Sequence, residues 1–312
     1  MERKVDVLVI GSGPAGLSAA IYAKRSKLSV VVVEKEYEGT GQIAQSGRVD
    51  NYLGLPGIEG YELGERFLEH ARSLGVEVAE ADVIHLEQTP EGEWKAGFED
   101  GGSVVARSVI YAAGASPRRL DIPGEEKFLG KGVSFCAVCD GAFYKDKTVA
   151  VIGGGDTALD DTLYLSKISR KVYLLHRRER FRGSAQTEGL VRDTANIELV
   201  LNTSVTEICG EQKVKEIVLQ DGRRIPVDGV FLAIGQEPQT KLLGKFTRID
   251  AHGYVIAGED GKTDSPGLFV AGDVREKPLR QVVTAVSDGA NAAYSAYNYL
   301  VETQEHSRRK DQ

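Results

Sequence analysis

Two stretches of the chain repeat one order of apolar and polar positions. Val5-Asp6-Val7-Leu8-Val9-Ile10 is a short apolar run, the pattern of a parallel strand buried on both faces. A glycine-rich turn, a helical pattern over 17–24 and a second strand over 29–33 follow. The run 147–152 opens the same series again, ending in a strand over 171–175, so the spacing predicts one βαβ unit in each half. Residues 61–74 carry apolar positions at helical spacing. Short strands over 76–78, 83–86, 94–98 and 103–106 predict a small antiparallel insertion; 197–201, 214–219 and 224–230 predict its counterpart. Residues 109–114 and 231–235 each read as a strand running into a glycine turn, and Ser116-Pro117 marks a domain crossing. A last strand, 268–273, ends in Gly-Asp and precedes an alanine-rich helix over 282–300. The polar tail 305–312 is expected to fray.

The turns carry the chemistry. Gly11-Ser12-Gly13-Pro14-Ala15-Gly16 stands between strand and helix, with Glu34 about 20 residues on, the dinucleotide fingerprint in its proper setting. Gly11 makes the tight turn, Gly13 lets the backbone approach a pyrophosphate, and Gly16 lets helix and strand pack closely. Glu34 is placed to accept from ribose hydroxyls. The polar loop Gly39-Thr40-Gly41-Gln42 and Asp50-Asn51-Tyr52 read as surface turns. The second turn, Gly153-Gly154-Gly155-Asp156-Thr157-Ala158, is the G-x-G-x-x-A variant. Its second strand ends in His176-Arg177-Arg178-Glu179-Arg180-Phe181-Arg182 rather than in an acid. Guanidinium forks pair with phosphate oxygens, so this end suits a ribose 2′-phosphate and predicts NADPH.

Phe135-Cys136-Ala137-Val138-Cys139-Asp140 holds two of the three cysteines. Cys-x-x-Cys is a metal half-site, a redox disulfide or an accident of composition. Zinc asks for four ligands, whereas Cys209 stands alone and the five histidines are scattered. A redox pair works through a thiolate, and Asp140 could exchange a proton with it. Cys209 reads as an inert packing cysteine.

Composition narrows the field. The chain has 312 residues, enough for two domains, and a net charge of -7 that speaks against nucleic acid. No apolar run reaches the length of a membrane span, and no signal-peptide pattern precedes the first strand. Three cysteines, one unpaired, point to a reducing, cytoplasmic setting.

From residue 5 to about residue 300 the sequence resembles the bacterial-type, low-molecular-weight thioredoxin reductases. The likeness rests on Gly11 to Gly16, Gly41-Gln42, Asn51-Tyr52, Ala113-Gly114, Cys136 to Gly141, Gly153 to Ala158, His176 to Arg182, Ala271 to Asp273 and Arg280-Gln281, in the family's order and spacing. The resemblance implies an α/β fold with two Rossmann-like nucleotide-binding domains, one for FAD and one for NADPH, each with a small β insertion. The FAD domain would be 1–115 with 239–312, and the NADPH domain with the CxxC 116–238. The crossings near 115–117 and 235–238 would form a hinge.

FAD contacts would come from Gly11 to Gly16, Glu34, Lys35, Gly41, Gln42, Asn51, Val83, Ala113, Gly114, Gly272, Asp273, Arg280, Gln281 and Val282. NADPH would meet Gly153, Gly154, Gly155, Asp156, Thr157, His176, Arg177, Arg178 and Arg182. Cys139 would lie nearer the flavin, Cys136 would attack the partner's disulfide, and Asp140 would be the acid. Thioredoxin as partner and a homodimer are implied in the same way. The chain departs from the family at Gln236, commonly histidine, at Asp160-Asp161, usually two glutamates, and at Thr40, usually glycine. Relatives that take electrons from ferredoxin, and dithiol oxidases, do not need the arginine cluster. A nucleotide sensor would not need both cysteines.

Overall fold

The computed structural model describes residues 3–35, 40–46 and 48–310. The first apolar run is strand β1 (Arg3–Ile10), which leads into helix α1 (Pro14–Arg25) and strand β2 (Val30–Glu34). Pro14 stands in the first helical turn, where its missing N–H costs no bond. Helix α2 (Gly60–Ser73) precedes β3 (Glu77–Glu80), β4 (Val83–Gln88), β5 (Trp94–Phe98), β6 (Ser103–Tyr111) and β7 (Ala115–Pro117).

Next come β8 (Val133–Ser134), α3 (Ala137–Asp140), β9 (Thr148–Gly153), α4 (Asp156–Ser166), β10 (Lys171–His176), α5 (Ala185–Asp193) and β11 (Ile197–Leu201). Strands β12 (Val205–Gly210), β13 (Val214–Leu219), β14 (Arg224–Pro226), β15 (Gly229–Ala233) and β16 (Gln236–Pro238) follow. The chain closes with β17 (Leu268–Val270) and α6 (Val282–Lys310).

The described residues fall into two compact units, 1–46, 58–116 and 238–312 in one, 47–57 and 117–237 in the other. In the first, a sheet runs β3-β2-β1-β6-β5-β4, with β17 also on β6. Both faces are covered, so the central strands are apolar throughout. Val7, Val9, Val30 and Val32 pack with the alanines of α1 and α6, whereas Leu8, Ile10, Val31 and Val33 pack with Val83, Leu86 and Trp94. The second unit repeats the plan with the parallel sheet β11-β10-β9-β15-β8. Val149 and Val151 face Ala158 and Leu159 of α4, and Ala150 and Ile152 face Ile208 and Ile217 of a separate antiparallel sheet, β12-β13-β14.

Several expectations are corrected. The sequence pattern places residues 76–78 and 197–201 in antiparallel insertions; β3 and β11 instead lie parallel to β2 and β10, as the outer strands of the two βαβ sheets. A short strand's own pattern does not encode its pairing direction. The expected strands 103–106 and 109–112 are one strand, β6. From Val104 to Tyr111 it pairs with β1 on one side, while β5 and β17 share the other edge. Residues 224–230 break in two at Val227-Asp228, where Asp228 accepts from the Thr148 N–H. Helix α6 continues to Lys310, across most of the tail expected to fray; 311–312 lie outside the described residues, as do Gly39, Met1 and Glu2. Residues 48–57 group with the second unit by backbone proximity, and none belongs to the first unit's apolar clusters. Among the described residues no helix is long and apolar enough to cross a membrane.

Candidate active site

The glycines of the two fingerprints differ in what they meet. A Cβ at Gly11, which has φ +102°, would lie 2.5 Å from the Ala112 carbonyl oxygen, and one at Gly153 2.3 Å from that of Ala233. One at Gly16 would lie 1.9 Å from the Gly11 oxygen. These positions are fixed by strand and helix packing. The middle glycines, Gly13 and Gly155, are the N-caps of α1 and α4. A Cβ at Gly13 would meet nothing closer than 3.8 Å, and one at Gly155 nothing within 4 Å. No protein contact demands glycine there, so the room it leaves at a helix N-terminus suits a phosphate-bearing ligand.

In the first unit four segments converge on this turn, those of Glu34, Gly41, Ala112-Ala113 and Gly272. Gly11 lies against Ala112 and Ala113, Gly41 against Gly13, and Gly272 against Ala15. Ser12 donates its N–H and Oγ to Glu34 Oε2 at 2.9 and 2.8 Å, and the Lys35 N–H reaches Glu34 Oε1 at 2.8 Å. Asp273 is the middle residue of a 3-10 turn, Gly272–Val274, and burial pushes its carboxyl above the ordinary value, against the pull of Lys277 and Arg280. Among the described residues Asp273 Oδ1 and Arg280 Nε are buried with no hydrogen-bond partner. Val83 is a core residue beside Ile10 and Val33, and Gln42 is exposed in the 3-10 turn Gly41–Gln45. Asn51 is exposed and falls in the second unit.

In the second unit His176 is buried, stacks on Phe181 and lies within hydrogen-bond distance of the Arg180 carbonyl through Nε2, at 3.2 Å. Burial first, then the neighbouring arginines, lower its pKa. A Cβ at Gly154 would strike its ring at 2.1 Å, so the imidazole braces the glycine turn from within the protein. Asp156 Oδ1 accepts from the Ser184 N–H at 2.7 Å, and Gly154 accepts from the Arg182 N–H at 2.7 Å. These bonds hold the arginine loop against the turn. Arg177, Arg178 and Arg182 are exposed, and among the described residues none has a carboxylate within ion-pair distance.

Cys136 and Cys139 form a disulfide with Cα atoms 5.3 Å apart, at the start of α3. The Cys139 N–H donates to Cys136 Sγ at 3.2 Å, and the Cys136 N–H donates to Ser134 Oγ at 3.0 Å. Burial raises Asp140, partly offset by a hydrogen bond with Ser134. On α4, burial and the neighbouring Asp160 push Asp161 up to about 7. Cys209 is half-buried at the end of β12, and its thiol is pushed up, first by burial and then by Glu207, which keeps it protonated. Cys209→Ser should therefore leave catalytic turnover within about twofold of wild type, measured on folded protein.

Two fingerprints, a disulfide and an arginine cluster in one chain define a specific architecture, and comparison with known proteins decides its kinship. The profile of the pyridine nucleotide-disulphide oxidoreductases matches residues 5–289. The chain belongs to that family. Within it, the chain is 39% identical to the thioredoxin reductase of Bacillus subtilis over 311 residues, covering 97% of each. It is 40% identical to that of Treponema pallidum over 309 residues, covering 96% of this chain and 98% of the relative. The solved thioredoxin reductase of Streptococcus pyogenes matches the fold with a TM-score of 0.91 at 37% identity, covering 97% of this chain and 100% of that one. The Giardia duodenalis thioredoxin reductase structure gives 0.90 at 35%, covering 96% and 100%.

The protein is an NADPH-dependent flavoprotein disulfide reductase, with FAD and NADPH as its cofactors. The first unit fits FAD: it offers the open glycine cradle at Gly13 and, in Asp273 Oδ1 and Arg280 Nε, a buried acceptor and donor still to be paired. Sequence reasoning missed Ser134, Tyr254, Arg275, Lys277 and Asp288. Asp288 Oδ2 accepts from Lys277 Nζ at 2.8 Å, and Arg275 and Asp288 form a bidentate pair at 2.8 Å. Burial works against ionising Asp288, but the bonds from Arg275 and Lys277 win and lower its pKa. The signal was present in the sequence: one acid, Asp288, in a helix segment otherwise made of small and apolar residues, soon after Arg275 and Lys277.

Proposed function

We propose that the chain is a thioredoxin-disulfide reductase, passing electrons from NADPH through FAD and the Cys136–Cys139 disulfide to thioredoxin or a thioredoxin-like protein. The observation that carries this reading is the Cys136–Cys139 disulfide in the same unit as a fingerprint whose ribose end is arginine. FAD would be held by 1–115 and 239–312 through Gly11 to Gly16, Glu34, Gly41, Ala113, Gly114, Gly272, Asp273, Arg280 and Gln281. NADPH would be held by 116–238, with Gly155 facing its pyrophosphate and Arg177, Arg178 and Arg182 its 2′-phosphate.

When bound, FAD supplies the two-electron exchange between nicotinamide and disulfide. Opening the Cys136–Cys139 bond takes up two electrons and two protons and leaves two thiols. Cys136, as the thiolate, attacks the partner's disulfide, forms a mixed disulfide and expels one partner thiolate. The Cys139 N–H on Cys136 Sγ favours that thiolate. Cys139 then attacks Cys136, which restores the internal disulfide and releases the partner's second thiolate. Asp140, kept protonated more readily by its burial, supplies a proton to a departing sulfur.

Asp140→Asn should slow dithiol exchange about 10–100-fold and leave NADPH-driven bleaching of the flavin intact in stopped flow. Because the raised pKa keeps Asp140 protonated to higher pH, the wild-type exchange rate should fall as pH rises through that value. The Asn variant, which does not titrate there, should lack this limb; an unchanged pH profile contradicts the role.

A homodimer and a cytoplasmic setting belong to the same proposal. Val283, Tyr294, Tyr297 and Val301 are exposed along one face of α6, which suits pairing with a second copy. The cysteine usage suits a reducing compartment. NADPH oxidation by purified protein, with and without oxidised thioredoxin from the same organism, tests the function. Turnover that requires thioredoxin is expected; equal turnover with oxygen alone contradicts it.

A further inference from the structure

Asp288 lies on the buried face of α6, in line with Ala285, Ala292 and Ala296, and is 3% exposed. Its Oδ2 accepts from the Gly272 N–H at 3.0 Å, from Arg275 Nε at 2.8 Å and from Lys277 Nζ at 2.8 Å; its Oδ1 accepts from Arg275 Nη2 at 2.8 Å. Arg275, itself buried, also donates to Glu259 at 3.0 Å. The Arg275 carbonyl accepts from Arg280 Nη2 at 3.3 Å, and the Arg280 guanidinium lies over the Tyr254 ring, 3.8 Å from its centre. One carboxylate thus grips the chain on both sides of Asp273, and Arg275 in turn holds Arg280. Burying two cations and an anion is a weak route to stability, because desolvation offsets their attraction and apolar replacements of similar volume often serve as well. What such a cluster supplies is a single geometry for the loop that bears it.

We propose that Asp288 is a positioning residue for the flavin site: by holding Gly272, Arg275 and Lys277 it aims the unpaired Asp273 Oδ1 and Arg280 Nε at FAD. The inference rests on the assignment of Asp273 and Arg280 to FAD made above. Its test titrates FAD into apoprotein, followed by flavin fluorescence, and records the melting temperature of each apoprotein and the absorption spectrum of the bound flavin. Three variants are compared: Asp273→Asn, Asp288→Asn, and Arg275→Met with Lys277→Met and Asp288→Leu.

Asp288→Asn strands the buried Lys277, leaves Arg275 only the exposed Glu259, and should lower both melting temperature and FAD affinity, the latter at least tenfold. The triple variant removes the cluster without stranding a charge. It should melt within a few degrees of wild-type apoprotein, yet bind FAD at least tenfold more weakly and with a shifted spectrum. A purely structural role moves melting and affinity together. The proposal is therefore overturned if the triple variant binds FAD as wild type does, or if it fails to fold. In the former case Asp273→Asn locates the error. Weakened FAD binding by Asp273→Asn keeps the cofactor assignment and removes only the role of Asp288; unchanged binding removes the assignment as well.

Discussion

Cys136→Ser should stop thioredoxin reduction, with a loss of more than about 1,000-fold, while NADPH still bleaches the bound flavin at a rate close to wild type. The reason lies in the order of events. In the proposed order, reduction of the flavin would need neither sulfur, whereas attack on the partner would need the Cys136 thiolate. Cys139→Ser should be equally inactive by a different route. Cys136 keeps its nucleophile and its hydrogen bond from the residue 139 N–H, but no thiol remains to release the partner. A stable mixed disulfide with thioredoxin should then accumulate, visible as a mass shift that a reductant reverses. Stopped-flow absorbance beside steady-state thioredoxin reduction checks both variants. Retained turnover in Cys136→Ser, or loss of flavin bleaching in a folded, FAD-loaded variant, would break the proposed sequence.

The second large effect concerns nucleotide choice. Arg177→Ala with Arg178→Ala should lower kcat/KM for NADPH by about tenfold or more per lost contact, each charge-assisted bond being worth about 1.5–3 kcal/mol. NADH kinetics should stay nearly unchanged, because the 2′-phosphate is the only group these side chains are assigned to meet. The structure strengthens the expectation: both guanidiniums are exposed and have no acidic partner among the described residues. Their loop is tied to the glycine turn through Arg182 to Gly154 and Ser184 to Asp156. Equal losses with NADPH and NADH would instead mean that the substitutions disturb that loop.

What the sequence revealed and what it hid divide along physical lines. The two βαβ units were legible because a strand buried on both faces is an unbroken apolar run, and because the fingerprint glycines sit where strand and helix must touch. Gly16, whose Cβ would lie 1.9 Å from the Gly11 oxygen, shows how little choice the chain has there. Pairing direction was hidden. Glu77–Glu80 and Ile197–Leu201 alternate too weakly to say whether their neighbours run parallel, and only the long-range register reveals it. The same limit applied to the site. Cys136, Cys139 and the arginines announce themselves by local spacing. The link from Asp288 to Gly272 and Arg275 spans 16 and 13 positions across a turn that the sequence does not close. His176 was readable as part of the arginine stretch, but not as the buried ring that braces Gly154.

The central claim is that the flavin and the Cys136–Cys139 pair form one electron store between NADPH and a protein disulfide. Anaerobic titration with NADPH tests it most directly, counting the equivalents taken up per bound FAD by wild-type protein and by Cys136→Ser with Cys139→Ser. Because the disulfide is a two-electron couple, wild type should consume about two NADPH per FAD and the double variant about one. An uptake of one NADPH by both proteins would contradict the claim.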